Sequence, residues 1–115
     1  MITIYHNNRC SKSRNALEIL KKSNEKFKII NYLETVPNKK DIKTLLKQLG
    51  LEPIDLVRKN EIIWKENYRD QSLSSSQIID AMIKYPKLIE RPIVVKNDKA
   101  VIGRPPELII DLIKT

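Results

Sequence analysis

A strand–helix–strand pattern at the N-terminus limits the folds open to this chain more than any other feature of its sequence. Ile2–Tyr5 alternates side chains in the manner of a short β-strand. Residues 15–22 then space apolar side chains as a helix packed on a sheet does, and Phe27–Tyr32 reads as a second strand. Two strands joined by a helix of this length form a right-handed βαβ unit, so we expect the strands to be parallel.

The segment that follows is predicted to be helical. Asn38 can cap a helix that Gly50 ends, and Ser74–Gln77 has the capping-box pattern of a further helix that Pro86 closes. These signals predict a helical insert over about residues 38–90.

The C-terminal part is predicted to form a hairpin followed by a helix. Pro92–Val95 and Ala100–Ile102 are strand-like runs on either side of the polar Lys96–Lys99. Pro105 and its neighbour open a last helix. Its side chains expected to face inward are Leu108, Ile109, Leu112 and Ile113.

This order of elements predicts an α/β protein with a mixed four-stranded sheet. A βαβ unit and a ββα unit separated by a helical insert are what the three-layer thioredoxin-like fold requires. We expect one domain, residues 1–115, and a monomer. No apolar run approaches the roughly 20 residues that cross a bilayer. The start shows no signal-peptide pattern, so we expect a cytoplasmic protein with no membrane association.

The formal net charge of +8 raises the question of nucleic-acid binding. Many lysines, such as Lys21 and Lys39, lie on the polar sides of predicted helices, where they are typical of a solvated surface. The aromatic residues follow no nucleic-acid-binding motif. We therefore do not expect a nucleic-acid partner, although a plain nucleic-acid binder stays an alternative that a steep salt dependence would reveal.

The only cysteine, Cys10, lies in the turn predicted between the first strand and the first helix. Unpaired backbone N–H groups and the helix dipole favour an anion there, and a thiolate is the reactive form of cysteine. Arg9, Lys12 and Arg14 add positive charge to the same turn. Because a lone cysteine is commonly a small buried apolar residue, these features alone leave both roles open.

Tyr5–Asn7 followed by Arg9–Asn15 resembles the active-site loop of the arsenate reductase family that works with glutathione and glutaredoxin. Three further segments resemble the same family in its order and approximate spacing, so the resemblance covers nearly the whole chain. These are Leu56–Asn60, Glu90–Val95 and Ile102–Glu107.

The resemblance implies reduction of arsenate to arsenite. The Cys10 thiolate attacks arsenic and forms a covalent thiol–arsenate adduct, while Arg58, Arg91 and Arg104 bind the oxyanion. Glutathione then attacks, a mixed disulfide forms on Cys10, and glutaredoxin restores the thiol as arsenite leaves. The family implies no bound cofactor and no metal, with glutathione as a co-substrate.

The remaining implied site residues surround the thiol. His6, Ser13 and Arg14 occupy substrate-binding or thiolate-activating positions, and Pro92 opens the third strand after a cis peptide bond. Ser13 stands where a thioredoxin-type Cys-x-x-Cys motif has its second thiol, so an external thiol must resolve a disulfide. The family usually has proline where this chain has Asn8, which can give the loop a similar shape through an Asx-turn.

Two other functions fit the same fold. One is a glutathione-dependent thiol oxidoreductase that acts on another substrate. The other is a regulator that resembles Spx-type transcription regulators and binds RNA polymerase. Those regulators usually carry a Cys-x-x-Cys redox switch, and Ser13 argues against a switch of that type.

Overall fold

The four predicted strands are all present in the structure, a computed structural model that describes residues 1–115. In chain order the elements are β1 (Ile2–His6), α1 (Ser11–Lys22), β2 (Phe27–Asn31), α2 (Lys39–Leu49), α3 (Ile62–Asn67), α4 (Ser75–Lys84), β3 (Ile93–Lys96), β4 (Lys99–Ile102) and α5 (Glu107–Ile113). Short 3-10 turns occur at Pro53–Leu56 and Pro86–Leu88. The chain divides into two compact units: residues 1–35 with 91–115, the sheet unit, and residues 36–90, the helical unit.

The sheet unit contains one mixed sheet with the strand order β2-β1-β3-β4. β1 pairs with β2 in parallel and with β3 antiparallel, and β3 and β4 form the predicted hairpin. Ile4 lies opposite Ile29 on one side and Val94 on the other. The predicted mixed sheet and thioredoxin-like fold class are therefore confirmed.

One face of this sheet is covered by α1 and α5. Their shared core consists of Ile2, Ile4, Ala16, Leu20, Val94, Ile109 and Leu112. Each fully buried valine, leucine or isoleucine side chain of this core stabilises the fold by about 1.5–3 kcal/mol. This packing holds the N-terminus of α1 beside the end of β1, which is where the cysteine lies.

Two details of the helices differ from the predictions. α1 begins at Ser11, a full turn before the apolar spacing that predicted it at 15, so Cys10 is its N-cap residue. Leu108 was expected to face inward, but its side chain is 38% exposed. Ile109 and Leu112, three residues apart, fill the core face of α5, and Leu108 lies about 100° around the helix from Ile109.

The helical unit follows its capping signals. Asn38 Oδ1 accepts a hydrogen bond from the Asp41 N–H at 2.8 Å, and α2 ends at Gly50, whose φ of 68° is left-handed. α4 begins at the capping box of Ser74. None of the helices combines the length and apolar character that crossing a membrane requires. The expectation that 1–115 is one domain stays a prediction.

Candidate active site

Cys10 terminates the loop between β1 and α1. Its N–H donates to the carbonyl of Asn7 at 3.0 Å, and its carbonyl accepts the Arg14 N–H at 3.0 Å, which is the first hydrogen bond of the helix. The residue is 8% exposed. An N-cap side chain lies close to backbone N–H groups that have no partner within the helix, so an ionised sulfur there is favoured over a neutral one.

The pKa of Cys10 is lower than that of an ordinary cysteine. Burial alone raises it, but the Ser13 N–H, the hydrogen bond and charge of the Arg91 guanidinium, and the Lys12 N–H together outweigh burial. The thiolate is therefore stabilised by two distant parts of the chain, the first turn of α1 and Arg91 just before β3. Cys10 is buried, and the groups that lower its pKa are two backbone N–H donors and one guanidinium.

A buried pair, His6 and Ser13, supports the loop. His6 Nδ1 lies 2.6 Å from Ser13 Oγ, which also accepts the Asn7 N–H at 3.0 Å. Since Ser13 Oγ accepts from the backbone, its own hydroxyl hydrogen is available to an unprotonated Nδ1. Burial is the main cause of the lowered pKa of His6, and nearby cationic side chains lower it further, against the opposing effect of its hydrogen bonds. His6 is accordingly neutral at pH 7.

Asparagine and arginine side chains shape the outer part of the loop. The Asx-turn expected at Asn8 is formed instead by Asn7, whose Oδ1 accepts the Arg9 N–H at 3.0 Å. Arg14 is exposed, and its Nη1 donates to the Asn8 carbonyl at 2.9 Å. Arg14 therefore constrains the loop at Asn8, the position where the family usually has proline. The predicted contact of Arg14 with substrate stays a prediction.

Arg91 carries two hydrogen-bond donors with no acceptor. Its Nε and Nη1 are buried and have no hydrogen-bond partner. Buried polar groups are nearly always paired, and each unpaired donor costs about 1–3 kcal/mol. A guanidinium with two unsatisfied donors beside a thiolate provides the arrangement that a bound oxyanion would complete. The Arg91–Pro92 peptide bond is cis, the isomer that the family resemblance implies.

Arg104 is tied to Arg91 through the backbone. Its Nε donates to the Arg91 carbonyl at 2.9 Å, and the bond from Arg104 to Pro105 is also cis. Gly103 precedes it and donates its N–H to the Pro92 carbonyl at 2.8 Å. A Cβ on Gly103 would lie 2.5 Å from Ile109 Cδ1 and 3.1 Å from Pro92 Cγ, so a larger residue here would displace these side chains. Gly103 was not among the predicted site residues.

Arg58 lies in the helical unit and is held by two carboxylates. Its Nη1 is 2.8 Å from Glu61 Oε1 and its Nε is 3.6 Å from Glu90 Oε1. All three side chains are about one-quarter exposed. Sequence reasoning did not identify either glutamate. The predicted approach of Arg58 to Cys10 stays a prediction.

In the sheet unit Arg91 thus acts on the Cys10 sulfur, and the Arg91 carbonyl accepts a hydrogen bond from Arg104. His6 and Ser13 support the cysteine loop. This arrangement can present a nucleophilic sulfur to an anion and offset negative charge on that anion's oxygens. The described residues contain no cluster of three or more His, Cys, Asp or Glu side chains placed to hold a metal ion.

Comparison with known proteins identifies relatives along the whole chain. A family model described as the ArsC family matches residues 5–112. The uncharacterized protein YfgD of Escherichia coli K12 is 46% identical over 114 residues, covering 97% of this chain and 96% of that protein. An arsenate reductase of Acidiphilium multivorum is 36% identical over 113 residues, covering 97% of this chain and 80% of its own length. The solved structure of an arsenate reductase from Vibrio cholerae superposes with a TM-score of 0.91 at 46% identity, covering 96% of this chain and 95% of that one.

Proposed function

Because the chain belongs to the ArsC family, we propose that it reduces arsenate to arsenite through a covalent adduct on Cys10. In this proposal glutathione supplies the attacking thiol and glutaredoxin regenerates the enzyme. The observation that carries it is that the Arg91 guanidinium lies beside the Cys10 thiolate while its Nε and Nη1 have no hydrogen-bond partner. A tetrahedral oxyanion supplies acceptors for both donors and places its central atom within reach of the sulfur.

The first step forms a sulfur–arsenic bond. The Cys10 thiolate attacks arsenic(V), and one arsenate oxygen, after protonation, leaves as water. The lowered pKa of Cys10 increases the ionised fraction of the attacking sulfur, and Arg91 and Arg104 offset charge on the remaining oxygens. No electron transfer occurs in this step, since arsenic stays in the +5 state.

The second step is the reduction. A glutathione thiolate attacks the Cys10 sulfur, a disulfide bond forms, and the sulfur–arsenic bond breaks with its electron pair left on arsenic. Arsenic(III) then leaves as arsenite. Each of the two thiols is oxidised by one electron, so the two electrons that arsenate requires are accounted for. Ser13 cannot form an internal disulfide with Cys10, so the mixed disulfide persists until a second thiol, that of glutaredoxin, attacks it.

The helical unit would contribute Arg58 as the third guanidinium. Within that unit Glu61 lies 2.8 Å from its Nη1 and Glu90 lies 3.6 Å from its Nε. We propose that Glu61 orients this arginine. A cytoplasmic location fits the scheme, because the reducing glutathione pool is there.

The proposal is tested by a coupled assay. Purified protein is mixed with arsenate, glutathione, glutaredoxin, glutathione reductase and NADPH, and NADPH oxidation is followed. We expect arsenate-dependent turnover that Cys10→Ser abolishes. If the unmodified chain oxidises no more NADPH than Cys10→Ser, arsenate is not its substrate. Repeating the assay with hydroxyethyl disulfide in place of arsenate then tests a glutathione-dependent oxidoreductase of other specificity.

A further inference from the structure

A groove between the C-terminal ends of α1 and α5 has no role in the steps described so far. Its volume is about 410 Å³, within the range of about 300–1,000 Å³ that small-molecule sites occupy. α1 is 12 residues long and Cys10 caps its other end, so the groove lies about 18 Å from the cysteine turn. The residues that line the groove are Ile19, Lys22, Ser23, Ile110, Ile113 and Lys114.

The body of the groove is apolar. Ile19 and Ile113 pack against the core of the sheet unit and are only partly buried there, and Ile110 is 39% exposed. The hydroxyl of Ser23 donates to the Leu20 carbonyl at 2.7 Å, so it is occupied within α1. An apolar chain that covers the three isoleucines removes their surface from water, which favours binding.

One end of the groove is cationic. On α1, Lys22 follows Ile19 by about one turn. On α5, Lys114 follows Ile110 by about one turn. β1 and β4 are both antiparallel to β3 and so run in the same direction, and the helices that follow them return toward the same end of the sheet. The two ammonium groups therefore lie at one end of the groove, and the apolar surface extends away from them.

Both lysines are available to a ligand. The helix ends have other donors, because the Ser23 N–H caps α1 and Lys96 Nζ donates to the Thr115 carbonyl beyond α5 at 2.9 Å. Lys22 and Lys114 form no hydrogen bond or ion pair within the chain. No acidic residue lines the groove. Two unpaired ammonium groups favour an anion between them.

The size and charge of this surface favour one class of occupant. A second copy of the chain in a two-fold interface would bring its own lysines against these lysines. Three isoleucines fall short of the area, about 1,000 Å², that a stable protein interface buries. The volume is at the lower end of the small-molecule range, so the groove holds one apolar chain rather than the two chains of a phospholipid.

We propose that this groove binds a free long-chain carboxylate, such as a fatty acid. Its head group lies between Lys22 and Lys114, and its chain lies along the three isoleucines. The inference does not depend on the proposed function, because none of these side chains takes part in the chemistry at Cys10.

The test titrates the full chain with octanoate, decanoate and dodecanoate below the concentrations at which they form micelles. Binding is followed by calorimetry and by the NMR shifts of the isoleucine methyl groups. We expect saturable shifts at Ile19, Ile110 and Ile113, and a dissociation constant that falls about two- to fourfold for each added methylene. Decyltrimethylammonium, which has the chain of decanoate's length and a cationic head, should bind at least tenfold more weakly.

Two variants address the two parts of the groove. Lys22→Glu should raise the dissociation constant of decanoate about five- to tenfold and lower that of decyltrimethylammonium, because an attractive charge becomes repulsive. Ile110→Gln should raise both constants about threefold, because apolar contact is lost. Lys28→Glu and Ile62→Gln are matched controls, since both residues are exposed and neither lines the groove. Both controls should bind decanoate as the unmodified chain does.

Four results would overturn the inference. The first is the absence of saturable binding of dodecanoate, and the second is an equal loss of binding in Lys28→Glu and Lys22→Glu. The third is binding to vesicles of phosphatidylcholine and phosphatidylglycerol that Lys22→Glu abolishes, with no binding of the free carboxylates, which would assign the groove to a membrane surface. The fourth is a dimer that Ile110→Gln dissociates, again with no binding of the free carboxylates, which would assign it to a second copy of the chain.

Discussion

Replacing Arg91 by methionine should remove activity while leaving the protein at least as stable. Methionine retains much of the apolar stem and has no donors. The reason for the expected stability is that Arg91 Nε and Nη1 are buried with no hydrogen-bond partner in the unliganded protein. The reason for the expected loss of activity is that the Arg91 guanidinium lowers the pKa of Cys10, and that its two unpaired donors are the ones proposed to bind the oxyanion.

The magnitudes follow from the contacts of Arg91. Two unpaired buried donors oppose folding by about 2–6 kcal/mol, and the charged hydrogen bond to the Cys10 sulfur contributes about 1.5–3 kcal/mol in the other direction. With mid-range values the variant is more stable by about 2 kcal/mol, which corresponds to a rise in Tm of roughly 5–10 °C. Loss of one preorganised oxyanion donor typically lowers kcat by about 10²–10³-fold, so turnover should fall by at least that much.

The assay combines thermal unfolding with the coupled NADPH measurement, in a buffer without phosphate or sulfate. Adding arsenate should raise the Tm of the unmodified chain, because the anion binds only the folded state, and should leave Arg91→Met unchanged. Arg69→Met is a matched control, since the Arg69 side chain is exposed and its ion pair, to Asp70 at 3.8 Å, is with another exposed side chain. The reasoning is refuted if Arg91→Met loses more than about 2 kcal/mol of stability while its turnover stays normal.

Four further outcomes are expected. Ser13→Ala should lower the free energy of unfolding in urea by about 1–3 kcal/mol, because Asn7 N–H and His6 Nδ1 lose their buried partner. Alkylation of Cys10 by iodoacetamide should have a midpoint below the ordinary thiol pKa of 9.0. The free energy of unfolding should fall as the pH drops below the ordinary histidine pKa of 6.5, because the pKa of His6 is lowered in the folded state and the unfolded chain takes up the proton first. His6→Asn should remove this part of the dependence of stability on pH. Gly103→Ala should cost about 1–3 kcal/mol by overpacking, measured by the same urea unfolding.

Each of these has a result that would contradict it. An unchanged unfolding midpoint in Ser13→Ala would mean that water replaces the hydroxyl. A Cys10 alkylation midpoint at or above 9.0 would mean that burial outweighs the neighbouring donors. If the pH dependence of stability persists in His6→Asn, it belongs to other titrating groups. If Gly103→Ala leaves the free energy of unfolding unchanged, Ile109 moves aside without loss of packing.

The local signals of the sequence predicted most of the fold. Caps at Asn38 and Ser74 and the left-handed Gly50 act within one helical turn, so they can be read from neighbouring residues. The alternation of β1 and the spacing of α1 likewise depend on which side chains repeat along one face. Those local patterns alone placed Cys10 in the turn between β1 and a helix, but they did not predict that Cys10 is the N-cap residue. By contrast, residues 61–73 have no clear periodicity, and the short α3 there buries Trp64, which stacks on Tyr68 with ring centroids 5.4 Å apart.

Pairings between residues far apart in the chain could not be read in this way. Nothing near Arg91 indicates that two of its donors lack acceptors, and nothing near Arg104 indicates that its Nε would bind the Arg91 carbonyl. The pairing of Arg58 with Glu90 and the close approach of Gly103 to Ile109 are likewise set by folding. The sequence carries the chemical identity of the thiol and the arginines. The tertiary structure sets the charge state of that thiol and the donors left for a ligand, because both depend on distances that only the folded chain defines.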